Sequence, residues 1–202
     1  HTFSFQPSEP FEITGNLLGG MALFATGDYA AAEPLLDVAT GQGEPSPAGA
    51  LLQTARFYRG LTRLALGRVA EGGADLDALV IALDDAATDS PLWPHILIGS
   101  GIAMRYTNFG ASADHFTWAA DAAAEQGDLA AQAAALNNRG IARRFLGDID
   151  RAADDYDAAL TLYRDLGDAG GEAAVLLNQS ILASGAGETE QALDLIDEAQ
   201  AL

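Results

Sequence analysis

The chain reads as an all-α protein, an α-solenoid of ten helices in five helix-turn-helix units. Three observations predict it. Apolar and small residues recur at three- and four-residue steps along most of the 202 residues. The helical stretches break at Gly27, Gly67, Asn108, Gly147 and Gly187, at intervals of 40, 41, 39 and 40 residues. Small residues stand at fixed offsets from those breaks. Gly20, Gly60, Gly101, Gly140 and Ser180 lie seven before them, and Ala32, Gly72, Ala113, Ala152 and Ala192 lie five after. A further small or apolar residue follows at Ala39, Leu79, Ala120, Ala159 and Ala199. A lone helical hairpin cannot bury its own apolar faces, so a repeated hairpin predicts a stack.

Residues 1–10 read as an extended arm, because Pro7 and Pro10 oppose helix. The first unit, 11–45, has helices over 11–25 and 29–40 around Gly27-Asp28, with Pro34 a weak point in the second. The stretch 41–47 is rich in Gly and Pro and reads as a loop. The second unit, 46–88, opens on Ser46-Pro47, a cap followed by a proline at the first helical position. Its helices run to Leu66 and from 69 to 85. The third unit, 89–127, repeats the signal at Ser90-Pro91, with Pro94 still in the first turn. Its second helix follows Gly110 and ends at Gly127-Asp128. The fourth unit, 128–167, is the clearest, with Gly147-Asp148 at its turn. Gly carries no Cβ penalty at a helix C-terminus, and Asp caps the helix that follows. The fifth unit, 168–202, places helices over 171–184 and 189–201.

Charge excludes several functions. Asp and Glu number 29 against 10 Lys and Arg, a net charge of −19. Such a surface repels phosphate backbones and anionic lipid, so neither nucleic acid nor membrane is an expected partner. Cysteine is absent, which removes disulfides, thiol nucleophiles and Cys-ligated zinc. No apolar run approaches the roughly 20 residues of a membrane span. A cytoplasmic location is the default expectation. The chain opens at His1, as a processed or recombinant segment would.

The pattern resembles the tetratricopeptide repeat family, which pairs a small residue late in its first helix with Ala in its second. The stretch LNNRGIARRFLGDIDRAADDYDAAL matches best and the third unit least, because Asn108-Phe109-Gly110 replaces a Gly-Asp pair. The resemblance covers about 11–202 as a single repeat domain, with the forty-residue period of the longer variety found in bacterial regulatory and signalling proteins. It implies a right-handed superhelix whose inner wall, made by the first helices, binds extended peptides or partner helices.

The charges sort by helix. Seven of the ten basic residues, all Arg, lie in first helices: Arg56, Arg59, Arg63, Arg105, Arg139, Arg143 and Arg144. The acids crowd turns and second helices. One face can therefore be locally positive and take a carboxylate or an acidic segment, since Arg binds carboxylates through two donors. The other reading is that these arginines pair with acids on neighbouring helices. Asn138 and Asn178 occupy equivalent places forty residues apart, with Asn137 beside the first. In the family an Asn there hydrogen-bonds a bound peptide backbone; interhelix bonding and capping are the alternatives. Phe57, among other first-helix aromatics and aliphatics, is either core or groove floor. The candidate partner-binding residues are thus Asn138, Asn178, Arg105, Arg144, Arg143, Asn137, Phe57 and Arg63.

No catalytic or metal site is expected. Trp93 and Trp118 read as packing residues. His95 and His115 have no second ligand at metal spacing. Asp84-Asp85 and Asp154-Asp155 read as solvated charge. No phosphate-binding loop, nucleophile elbow or zinc-protease motif is present. The expected function is a non-catalytic peptide- or protein-binding scaffold without cofactor. The alternative is an assembly or regulatory segment of a larger protein, acting through Leu193, Leu195 and Ile196, for which no covering helix follows; homo-oligomerisation through that end goes with it.

Overall fold

The computed structural model describes residues 9–41, 49–83 and 90–202. Ten helices in five antiparallel hairpins fill them: α1 (Glu9–Ala25), α2 (Tyr29–Gly41), α3 (Ala50–Ala65), α4 (Val69–Leu83), α5 (Trp93–Met104), α6 (Phe109–Gln126), α7 (Leu129–Leu146), α8 (Ile149–Leu166), α9 (Ala169–Ala186) and α10 (Thr189–Gln200). No strand occurs among the described residues. The helices form two compact units, α1–α4 and α5–α10.

The glycine punctuation acts as chain chemistry requires. Gly27, Gly67, Gly127, Gly147, Gly167 and Gly187 all have φ between 66° and 83°, the left-handed region where an L side chain is strained. The residue after each turn then starts the next helix. Oδ1 of Asp28, Asp128 and Asp168 accepts from the backbone N–H three residues on. Asp148 departs from this pattern. It holds the cap position, yet its carboxylate makes no capping bond and lies 3.5 Å from Arg151 instead.

Several boundaries differ from expectation. Glu9 and Pro10 are already helical, so the arm is shorter than ten residues, and residues 1–8 lie outside the described ones. So do Ser46-Pro47 and Asp84-Asp85; α3 begins at Ala50 after Gly49. Pro34 costs α2 one hydrogen bond without ending it. Ser90-Pro91 does not cap α5. It forms a turn closed by Trp93 N–H to Ser90 O, and the helix starts at Trp93 with Pro94 in its first turn.

The third hairpin corrects the register. Asn108 is the N-cap of α6, its side chain accepting from Ala111 N–H at 3.1 Å. It corresponds to Asp28, Arg68, Asp148 and Glu188, at a period of forty, and not to the glycines. At the places equivalent to Ala32 and Ala39, α6 therefore has Ser112 and Ala119, both buried; Ala120 and Ala123 are buried beside them, whereas Ala113 is only half-buried. Ser112 Oγ donates to Gly101 O at 2.8 Å. With no glycine before the cap, α5 ends at Met104, and its residues run one place later than in the other first helices.

Four of the five hairpins close on the same kind of contact. A Cβ built on Gly20, Gly60, Gly101 or Gly140 would stand 2.6–2.8 Å from Leu36, Leu76, Phe116 or Tyr156 respectively. Those four large side chains are fully buried and recur every forty residues. The glycine is the hole and the facing side chain the knob. Gly15 is different: it lies in α1, and a Cβ placed on it would meet nothing within 4 Å. Gly15→Ala is expected to stabilise the protein by about 0.5–1 kcal/mol through backbone entropy alone, measured by chemical denaturation.

Candidate functional site

Two buried ion-pair clusters dispose of most first-helix arginines. In α3 and α4, Arg59 and Arg63 straddle Asp75. Arg59 reaches both its oxygens and also Thr40; Arg63 Nη1 reaches Oδ2 at 2.8 Å. Arg63 also bonds Glu33 at 3.1 Å and Asp37 at 2.9 Å. In α7 and α8 the same geometry recurs eighty residues on. Arg139 Nη2 meets Asp155 Oδ1 at 2.6 Å and Arg143 Nη1 meets Oδ2 at 2.7 Å, while Arg139 Nη1 lies 3.4 Å from Thr117. Asp155 is 3% exposed, so it is not the solvated charge that its place in an Asp-Asp pair suggests. One helical step turns Asp154 outward and Asp155 onto α7.

This settles where Arg63, Arg143 and Phe57 sit. Both arginines hold their helices together through buried carboxylates. Phe57 is 6% exposed and packs edge-on against Tyr58. None of the three offers a partner much free surface.

The remaining candidates lie on α5, α7 and α9. Ile98, Ile102 and Arg105 stand on α5; Asn137, Ile141 and Arg144 on α7; Leu177, Ile181 and Ser184 on α9. The spacing i, i+4, i+7 puts each trio on one stripe. Adding one place for the register of α5, the three stripes are equivalent. All nine side chains are half-buried or exposed. Helices α7 and α9 are tied edge to edge, for Asn178 Nδ2 donates to Asn137 Oδ1 at 2.8 Å. Asn138 Nδ2 donates to Ala134 O at 2.8 Å within its own helix.

Arg105 and Arg144 occupy the same place on neighbouring first helices. Among the described residues neither has a carboxylate partner, unlike Arg59, Arg63, Arg139 and Arg143. Burial holds Arg105 below the usual guanidinium range. Arg144 lies 4.4 Å over the Phe145 ring, which stacks on Phe109 at 4.5 Å. Behind Arg144 is the Tyr156 hydroxyl. Burial raises its pKa, and Arg144 and, more weakly, Arg105 oppose that rise. Arg144 Nε and Tyr156 Oη are both buried and make no aligned hydrogen bond. Arg144 also lines a cavity of about 370 Å³ with Ile149, Ile181, Leu182, Gly185 and Ala186.

Sequence reading named Arg105, Arg144, Asn137, Asn138 and Asn178 but missed Ile98, Ile102, Leu177 and Ile181. The forty-residue period would have found the last two. The first two were hidden by the one-residue shift in α5. Elsewhere, His95 pairs with Asp128 at 3.1 Å, and Trp118 is 53% exposed on α6. Among the described residues no cluster of His, Cys, Asp or Glu could hold a metal, and no helix is long and apolar enough to cross a membrane.

The hairpins agree with known repeats. The tetratricopeptide repeat family model matches residues 131–202, which hold most of α7 and all of α8–α10. Residues 131–202 are tetratricopeptide repeats. Solved structures extend the tetratricopeptide-like solenoid fold over nearly the whole chain. BtubC (BKLC) from P. vanneervenii superposes with a TM-score of 0.77 at 17% identity, over 96% of this chain and 82% of that one. A putative kinesin light chain with TPR-like repeats from Podosopora anserina gives 0.76 at 12% identity, over 97% and 96%. MamA gives 0.60 at 16% identity, over 90% and 92%. No curated protein matches.

Proposed function

We propose that this protein is a non-catalytic binding module that holds an extended peptide or partner segment on the face of α5, α7 and α9. Tetratricopeptide repeats present such first-helix surfaces to other proteins. The observation that carries the reading is a pair of half-buried arginines, Arg105 and Arg144, with no carboxylate partner among the described residues, the second of them lining an apolar cavity, in a chain of net charge −19. A partly desolvated charge left unpaired among so many acids is costly unless something else pairs with it. Apolar neighbours Ile98, Ile102, Ile141, Leu177 and Ile181 supply burial, and the Asn138 carbonyl supplies an acceptor for a peptide N–H. The partner is then a protein or peptide bearing at least one anionic group.

Selection from a random peptide library on the immobilised protein tests this. Enriched peptides should carry an acidic or anionic group beside an apolar residue. Their affinity should fall about tenfold or more with Arg144→Ala or Asn138→Ala, the loss of one charge-assisted or buried hydrogen bond. Arg151→Ala, on the exposed start of α8, should change nothing. Peptides indifferent to Arg144 and Asn138 would place the binding surface elsewhere.

A further inference from the structure

The arrangement around Arg144 also bears on which anion the partner carries. We propose that Arg105 and Arg144 together form a site for a phosphoryl group on a partner side chain, a deepening of the binding role above and resting on it.

The two guanidiniums stand at one place on adjacent first helices, and both act on the single Tyr156 hydroxyl behind them. No acid pairs with either among the described residues. The α8 carboxylate that acts on Tyr156, Asp155, is already held by Arg139 and Arg143, so its charge is spent. The site therefore presents two positive charges with no internal counter-charge. A carboxylate would balance one and leave the other half-buried. A phosphomonoester carries about −1.5 to −2 charges and three acceptor oxygens at neutral pH, enough for both forks.

The site is also held in place before any ligand arrives. Arg144 lies on the Phe145 ring, and the Phe109–Phe145 stack, at 11° between planes, joins α6 to α7 beneath it. The Tyr156 ring that backs it is fully buried against Gly140. A guanidinium fixed in this way loses little conformational freedom on binding. The cavity on the other side of Arg144 is apolar and large enough for a neighbouring side chain. A free phosphate ion would leave it unused; a phosphorylated residue within a peptide would fill it. That favours the peptide-borne source.

The test follows the ¹⁵N-labelled protein at constant ionic strength during titration with N-acetyl-phosphoseryl-leucine N-methylamide, its glutamate analogue, or inorganic phosphate. The phosphoserine compound should saturate shifts at Arg105 and Arg144 at a concentration at least tenfold below that needed with the glutamate compound, and below that of inorganic phosphate. Arg105→Gln and Arg144→Gln should each weaken it about tenfold with amide dispersion retained, and Arg151→Gln should not. Equal affinity for the glutamate compound would overturn the phosphoryl assignment while leaving library-selected peptides bound to this face. Tightest binding of inorganic phosphate would overturn the partner-borne source. No saturable shift with any probe would overturn the site itself.

Discussion

Asp155→Ala is expected to destabilise the protein by about 3–5 kcal/mol, the range for removing one member of a buried charge pair. The carboxylate is 3% exposed and accepts from two arginines. Without it Arg139 and Arg143 face each other in the α7–α8 seam. Among the described residues Arg139 then keeps only the hydroxyl of Thr117, at 3.4 Å. Asp75→Ala, at the equivalent place, should cost less. There Arg63 retains Glu33 and Asp37, and Arg59 retains Asp37 and Thr40. Denaturant melts of the two variants give the comparison. Asp75→Ala proving the more damaging would show that the surviving acids do not compensate.

Gly140→Ala is expected to cost about 1–3 kcal/mol, although Ala is the better helix former by about 1 kcal/mol. Its Cβ would lie 2.6 Å from the Tyr156 ring, which is fully buried. In a chain of this size each kcal/mol lowers the melting temperature by roughly 2–4 °C. The same substitution at Gly15 meets open space and should act in the opposite direction. Calorimetry on both variants separates packing from propensity. Equal shifts would mean that the hairpin contact is soft.

Where sequence and structure agree, the cause is local. The forty-residue period and the turn glycines follow from backbone chemistry within a few residues, so they are legible in the sequence. Tyr156, Phe116, Leu76 and Leu36 each face a glycine across their hairpin, and the small residue announces its large partner. Asn108 misleads because an N-cap and a C-terminal glycine both read as breaks. Only the side-chain bond to Ala111 tells them apart. The arginines divide for a different reason. Composition puts Arg63, Arg143, Arg105 and Arg144 in one class, all on first helices. Which of them meets an acid depends on a residue twelve or sixteen places on, across a helix–helix seam. Asp75 and Asp155 fill that place beside α3 and α7. No carboxylate reaches Arg105 or Arg144 among the described residues, and those two stay available. Asp155 itself was misread because adjacency in sequence says nothing about which of two neighbours turns inward.

A partner received on the first-helix face of α5, α7 and α9 must leave its mark there. The chemical-shift footprint of a library-selected peptide on the labelled protein reads that mark directly. The largest shifts are expected to cluster at Arg105, Asn138, Ile141, Arg144, Asn178 and Ile181. A footprint centred instead on the second helices, around Trp118 on α6 or the outer side of α8, would refute binding at this face.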